Sequence, residues 1–422
     1  MKKVLLSTMI GNALEWYDYA LYAQFAAIIG AHFFPKSDLT DILTFGVFAA
    51  GFIVRPIGAV VFGYIGDKLG RKYALALGMI SMAVPTAGIG LLPSYETIGF
   101  IAPILLTVIR LVQGFSLGGE FSGCISYVVE SSNMSNRGLA GSSAFVSMCL
   151  GMLFGTITAA FCREVMTPEF LFNYGWRIPF VSGLFIGIVG FYIRMSLHES
   201  PLYIEAKKNG NLSTVPLKDL FKDNFKELVI AIGIYLTVTV PFYLLTVYMN
   251  NYTVSLGFSE EIASIGNATI LVCLCISMIF SSGLSDRIGR KPVLITACAL
   301  HIIFNYPIFW TISHTDSGLV VIFASGALAI IEGIFMGPVP TILVELFPTR
   351  VRFTGVALSY NLSAAIFGGT TPMILIILLK YFGENSVIPY YVCNFVCATL
   401  VTLIFYQETY RTTLHDQKKQ TR

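Results

Sequence analysis

Among the ionisable residues inside long apolar stretches of this chain, six stand out: Glu15, Asp18, Arg55, Arg110, Glu120 and Glu332. A charge in the hydrocarbon core of a bilayer is costly, so such residues are rare and mostly serve a function. On a helix, Asp18 would sit about 16 Å into its stretch, near mid-membrane. Gly11, Glu15, Asp18 and Tyr22 share one stripe of that helix, and Arg110, Gln113 and Glu120 share a stripe of another. An Arg at that depth cannot shed its charge and demands a carboxylate or an anionic substrate. Asp18 with Arg110 is therefore the expected pair. Beside Arg110 the carboxylate stays ionised; desolvated and unpaired it takes a proton. Making and breaking this pair would couple proton movement to substrate movement, with Glu15 as a second acid one turn away.

The other intramembrane groups suggest substrate contacts. Arg55, beside Pro56, offers a fixed cation suited to a carboxylate; the alternative is a static ion pair with Glu15 or Glu120. Gln113 and Tyr22 lie on the same stripes as the central pair and join Arg55 as expected binding residues. Glu332 suits a cationic substrate group or a second proton, or else is simply paired within the protein. Glu120 is expected to be structural, and His301 a hydrogen-bonded core residue rather than a relay.

The elements that hold these residues follow from composition. Hydrophobic residues make up 55% of the 422 and charged residues 12%, where a soluble domain carries about 25% charge. Mean hydropathy is +0.74. Twelve stretches are near the roughly 20 apolar residues that a span needs: 7–33, 41–65, 74–94, 99–128, 138–161, 176–195, 227–250, 261–284, 292–312, 318–346, 353–380 and 387–407. Runs of this length exclude a β-barrel and imply helices. The expected organisation is a six-helix bundle over 1–195, a polar central loop over 196–226, a second bundle over 227–407 and a short tail over 408–422. Lys2 and Lys3 precede an apolar run that contains Glu15 and Asp18 and has no cleavage pattern, so this run reads as a retained first span.

Orientation comes from the basic residues. With a cytoplasmic N-terminus, 21 Lys and Arg fall inside, including the five lysines of 196–226 and Lys418, Lys419 and Arg422 of the tail. Only Lys36, Arg163, Arg177 and Lys380 fall outside. Both termini are thus expected in the cytoplasm, with the chain in the inner membrane. A net charge of +3 gives no reason to expect nucleic acid. The eight cysteines form no CxxC and nearly all fall within apolar runs, so neither a disulfide framework nor a metal site is expected. No nucleophile elbow, zinc-protease or P-loop pattern occurs, which speaks against an enzyme.

The two halves repeat each other. Gly63-x-x-x-Asp67-Lys68-x-Gly70-Arg71-Lys72 follows the second span, and Ser282-x-x-x-Asp286-Arg287-x-Gly289-Arg290-Lys291 follows the eighth. Glu130 precedes Arg137 by seven residues, as Glu345 precedes Arg352. Matched pairs at nearly one offset imply duplication of a six-span unit, a common pattern in secondary transporters. Gly63 at a helix end permits close helix approach; Ser282 in its place is expected to loosen that contact. The acids are expected to pair across to partner helices, so Asp67, Arg71, Glu130, Arg137, Asp286, Arg290, Glu345 and Arg352 read as conformational gating residues. Simple topology is the other explanation for Lys68 and Lys72.

The doubled loop resembles the signature of the major facilitator superfamily, and Arg110-x-x-Gln113-Gly114-x-x-x-Gly118-Gly119-Glu120 resembles its span-four motif. Further stretches are similar to the metabolite:proton symporters within it: Gly11-Asn-Ala-Leu-Glu15-Trp16-Tyr17-Asp18, Arg55-Pro56-Ile-Gly58, Gly175-Trp176-Arg177-Ile178-Pro179-Phe180, Glu199-Ser200-Pro201 and Glu345-Leu-Phe-Pro348-Thr-Arg350-Val-Arg352. The resemblance implies a major facilitator fold of twelve helices in two pseudo-symmetric bundles. It implies proton symport of a small metabolite by alternating access, with an acid in span one opposite the span-four Arg. The expected partners are a small-molecule substrate, the proton and the lipid bilayer, with no other cofactor and a monomeric functional unit. Mixed interior charges favour a zwitterion such as proline or betaine over citrate. A uniporter or antiporter of an organic acid is the alternative, and a non-transporting receptor a weaker one. After span twelve there is no room for sustained heptads, so a coiled-coil tail is not expected.

Overall fold

A backbone in lipid must satisfy its own hydrogen bonds, and the chain does so with helices throughout. The computed structural model describes residues 2–35, 40–383, 385–412 and 414. Lys36, Lys418, Lys419 and Arg422, used above for orientation, lie outside the described residues. The long helices are α1 (Lys2–Gln24, continued by Ala26–Phe33), α2 (Thr40–Lys68), α3 (Arg71–Leu91), α4 (Ile101–Glu130), α5 (Arg137–Val165) and α6 (Arg177–Met195). Then follow α7 (Phe225–Ser255), α8 (Glu260–Ile288), α9 (Arg290–His314), α10 (Gly318–Leu346), α11 (Arg352–Phe382) and α12 (Val387–Phe405). Eleven helices among the described residues are long and apolar enough to cross a membrane. The helix α1 falls short in apolar content because Asn12, Glu15 and Asp18 interrupt it, yet all three are buried.

This is an all-α polytopic membrane protein of two six-helix bundles. In the first, α1 packs on α5 and α6, α2 on α4, and α3 on α4 and α6; in the second, α8 packs on α10, α9 on α10 and α12, and α7 on α11 and α12. The bundles meet where α2 lies against α11 and α5 against α8. Large apolar side chains such as Phe280, Phe323 and Ile404, each more than 70% exposed, form the outer surface suited to lipid. The six charges picked out from the sequence point the other way, each 3% exposed or less.

Small residues set the closest approaches. A Cβ on Gly114 would lie 2.0 Å from the Gly51 carbonyl oxygen, and one on Gly58 would lie 1.9 Å from that of Phe115. The α2 and α4 backbones therefore touch, which turns Arg55 and Arg110 into one interior. Two helices of the second half are locally widened by π-turns, Leu244–Tyr248 in α7 and Ala364–Gly368 in α11. The first follows Pro241, which has no N–H to give the ladder.

The polar connection over 196–226 is not a plain loop. It holds two short helices, Pro201–Lys208 and Pro216–Asp223, each beginning with Pro at its first position. The hydroxyl of Ser200 caps the first by accepting from Tyr203 N. All eight cysteines are free thiols.

Candidate functional site: a buried ion pair beneath a repeated contact layer

Asp18 of α1 and Arg110 of α4 meet in the interior of the first bundle. Arg110 Nη1 donates to Asp18 Oδ2 at 2.9 Å and to Gln113 Oε1 at 2.7 Å. Gln113 Nε2 donates in turn to Asp18 Oδ2 at 3.1 Å and to Thr86 Oγ1 of α3 at 2.9 Å. The guanidinium lies 3.6 Å over the ring of Tyr22, a cation–π contact that is strong when water is excluded. Gln113 and Tyr22 thus belong to the ion pair, where they hold Arg110 in place. Glu15, one turn earlier, is buried and neither carboxyl oxygen has a hydrogen-bond partner among the described residues.

The remaining buried charges separate from this cluster. Glu120 is held through both oxygens by Arg194, with Nη1 to Oε2 at 2.9 Å, while Arg194 Nη1 also donates to Leu75 O at 2.7 Å. Arg194, although at the last turn of its helix, is 1% exposed. Gly11 makes room for it, since a Cβ there would lie 1.8 Å from Arg194 Nη2. The pair ties α4 to α6. Glu120→Gln is expected to leave a buried guanidinium without its anion, at about 3–5 kcal/mol. A lower unfolding midpoint of the purified protein is the readout, and an unchanged midpoint would exclude the structural role.

Glu332 of α10 accepts or shares a proton with His301 Nε2 of α9 at 3.1 Å, and His301 Nδ1 meets Asn305 Oδ1 at 3.3 Å. His301 is thus a hydrogen-bonded core residue, and Glu332 is engaged within the second bundle. Arg55 does not pair with Glu15 or Glu120. It crosses between the halves to α11, donating to Asn361 Oδ1 at 3.1 Å and to the Tyr360 hydroxyl. Asn361 Nδ2 continues to Gly118 O of α4 at 2.8 Å.

Between the bundles lies a small cavity walled by Trp16 of α1, Phe145 of α5, Tyr235, Phe242 and Tyr243 of α7, and Tyr360 of α11. Nothing in the α7 and α11 sequences distinguished these rings from ordinary packing.

At the face bearing the repeated loops the halves are locked by the same contacts made twice. Asp67, at the end of α2, accepts from Phe353 N (3.1 Å), Thr354 N (2.9 Å) and Thr354 Oγ1 (2.8 Å) at the start of α11. Asp286, at the end of α8, accepts from Gly138 N (2.8 Å) and Leu139 N (3.0 Å) at the start of α5. A carboxylate at a helix N-terminus meets unpaired N–H groups and the positive end of the dipole. Arg71 and Arg290 each bind the aspartate four residues before them, at 3.0 and 2.7 Å. Glu130 takes Arg71 from its own half at 3.2 Å and Arg352 from the other at 2.9 Å. Glu345 takes Arg290 and Arg137 in the same way, both at 3.3 Å.

Gly63 lets Thr354 approach, a Cβ there falling 2.8 Å from its Cα. Ser282 does not loosen the equivalent contact: it is buried and its hydroxyl donates to Ser142 Oγ of α5 at 3.0 Å. The small residue sits on the partner helix instead, where a Cβ on Gly138 would lie 2.8 Å from Ser282 O.

A third repeated pair, seen only in its first copy in the sequence, completes this layer of contacts. Glu199 accepts from Arg71 N at the start of α3, and Glu408 from Lys291 N at the start of α9, at 3.1 and 2.8 Å. The next residues reach the two glutamates between the halves, Ser200 to Glu130 and Thr409 to Glu345. Burial pushes the Glu199 carboxyl above its ordinary range, with the N–H groups of Ser200 and Lys72 and the charge of Arg71 pulling it back. The tail lies across the same surface, Thr412 O accepting from Arg137 Nη1 at 3.2 Å and Leu414 O from Arg352 Nη2 at 3.4 Å.

Comparison with known proteins fits this architecture. Residues 8–369 match the family model described as Major Facilitator Superfamily. A protein of Staphylococcus aureus (strain COL) described as a putative proline/betaine transporter is 34% identical over 400 residues, covering 92% of this chain and 84% of that one. A glycine betaine/proline/ectoine/pipecolic acid transporter of Dickeya dadantii (strain 3937) is 33% identical over 426 residues, covering 97% and 84%. Among solved structures, a proton:xylose symporter bound to 6-bromo-6-deoxy-D-glucose superposes with a TM-score of 0.80 at 18% identity, covering 99% of this chain and 98% of that one.

Proposed function

Because this chain belongs to the major facilitator superfamily, and is a transporter rather than an enzyme, we propose that it is a proton-coupled symporter of a small zwitterionic metabolite, working by alternating access. One observation carries the reading: the Asp18–Arg110 pair, buried at mid-helix and held by Gln113. A buried carboxylate whose charge depends on one arginine is a proton carrier if the pair can open. The paired gate supplies a motion that could open it, since the contacts at the loop face hold one of two arrangements of rigid bundles. Relatives are described as carriers of proline and betaine, and interior charges of both signs suit a zwitterion. Both halves of the gate lie in one chain, so a single copy suffices as the transport unit.

The test is uptake of labelled proline, betaine, 2-oxoglutarate, citrate and shikimate into proteoliposomes, with and without an inward proton gradient. Accumulation of proline or betaine only with the gradient is expected. Citrate or 2-oxoglutarate accumulating while the zwitterions do not would overturn the substrate class. Downhill flux indifferent to pH would replace symport by uniport of the same fold.

The basic bias further places the loop face, the 196–226 segment and both termini in the cytoplasm of an inner-membrane protein. Asn209→Cys, in a background with the exposed Cys397 replaced by Ser, is expected to react with an impermeant thiol reagent in inside-out vesicles and not in intact cells. Labelling in intact cells would invert the topology.

A further inference from the structure

The helix α5 leaves the loop face at Arg137 and α8 returns to it at Ile288, so the two run antiparallel along the boundary between the bundles. Two contacts fix their register. Gly138 N donates to Asp286 at 2.8 Å, and one turn deeper the Ser282 hydroxyl donates to Ser142 Oγ at 3.0 Å. Each step forward on α5 is thus matched by a step back on α8. Seven residues make about two turns and return a side chain to the same helix face. Counted on from Ser142 they reach Cys149, and counted back from Ser282 they reach Cys275.

The structure brings these two side chains together. Their thiols share a hydrogen bond, and Cys275 Sγ also lies 3.9 Å from Val146 O, one turn before Cys149. Cys149 is buried and Cys275 half-buried. Other thiols bond within their own half, Cys124 with Thr8 O and Cys393 with His301 O. Cys149 and Cys275 meet instead across the line between the halves, about 16 Å deeper than the Gly138–Asp286 cap. They belong neither to the central ion pair nor to the loop-face contacts.

We propose that Cys149 and Cys275 are an oxidation site, at which a small neutral hydroperoxide dissolved in the bilayer converts the two thiols into a disulfide that ties α5 to α8. The consequence for transport rests on the alternating-access reading above. One sulfur, as thiolate, attacks the peroxide O–O bond, giving a sulfenic acid and releasing the alcohol. The second sulfur then attacks the sulfenic sulfur; the S–S bond forms and water leaves. Two thiols thereby give two electrons and two protons to one peroxide. The first step is slow, because the thiolate is disfavoured away from water. The second is fast, because the partner thiol is already in place. A disulfide keeps its two Cα atoms within about 4.4–6.8 Å, whereas rocking of rigid bundles must shift or tilt α5 against α8. The oxidised protein is held with its loop face closed, and a dithiol reductant releases it.

The test treats the purified full-length protein in proteoliposomes with tert-butyl hydroperoxide, then with excess dithiothreitol. Peptides from a non-reduced digest are expected to show Cys149 joined to Cys275 by mass spectrometry. Gradient-driven uptake is expected to fall in proportion to the fraction joined and to return with dithiothreitol. Cys275→Ser, at the half-buried position, is expected to keep its uptake under peroxide, and Cys149→Ser serves as the second variant. Absence of the joined peptide while other thiols are oxidised overturns the site. Loss of uptake at the native level in both variants overturns it as the cause of arrest. A joined peptide with unaltered uptake defeats the arrest. These outcomes leave the transporter reading intact. A native protein without gradient-driven uptake before oxidation defeats that reading instead, while the joined peptide still decides the site.

Discussion

Asp18→Asn is expected to abolish accumulation of substrate against its gradient while exchange of internal for external substrate continues. The amide can still accept from Arg110 and Gln113 through its oxygen, so the local framework of α1, α3 and α4 has bonds to keep. It cannot take up or release a proton. One proton moved down a pH difference of one unit supplies about 1.4 kcal/mol, enough for about tenfold accumulation of a neutral zwitterion. In proteoliposomes under that gradient, the native protein should approach this ratio and Asp18→Asn should stay near equal concentrations. The substitution also leaves Arg110 without its anion, so exchange should be slower than native. Accumulation by Asp18→Asn at the native level would remove Asp18 from the coupling step. Glu15, whose carboxyl has no hydrogen-bond partner among the described residues, would be the next residue to substitute.

The second large effect is expected at the gate. Asp67 accepts three hydrogen bonds from the start of α11 and pairs with Arg71. Bonds to a charged acceptor contribute about 1.5–3 kcal/mol each, and Asn keeps at most some of them. Asp67→Asn should shift the balance between closed and open loop faces by a few kcal/mol, about a hundredfold in population at 2.8 kcal/mol. Distances between spin labels on the loop-face ends of α2 and α11 should lengthen. Transport should fall while substrate binding persists, because Asp67 lies at the loop-face end of α2 and does not line the cavity. Unchanged label distances, or equal losses of affinity and flux, would count against this role. The double substitution Asp67→Asn with Asp286→Asn should open the face further than either alone, since both halves contribute equivalent caps.

Much of this was legible in the residues. Long apolar runs can only be spans, and the doubled loop marks the duplication. The Asp18–Arg110 pair could be read from two helical stripes at similar depth, because helix period and rise are fixed by backbone geometry. What escaped the sequence depended on which helices touch. Arg194 sits at the last turn of α6, and nothing in its spacing marks it as buried until α6 packs on α1 and α3 and brings it against Glu120 of α4. The partners of Arg55 are about three hundred residues away, on α11, and no spacing rule reaches them. Glu332 was open to a substrate or proton role because its companion His301 lies on the neighbouring helix α9. The second copy of the Glu199-Ser200 element, Glu408-Thr409, was hidden because only the Glu repeats, with Thr409 in place of Ser200. Their shared positions against α3 and α9 reveal the match, not their sequence.

The exchange of caps between the halves has a consequence for ancestry. In an isologous two-fold contact, patch i of one unit meets patch j of the other and the reverse contact follows automatically. Asp67 on the start of α11 and Asp286 on the start of α5 obey that rule, as do Glu130 with Arg352 and Glu345 with Arg137. Each six-helix half thus owns one full set of caps and one full set of helix starts to be capped. A single unit bearing these residues would hold every cap needed to close this face against a second copy of itself. Away from these caps the halves differ, with Asp18 and Arg110 in one bundle and Glu332 and His301 in the other.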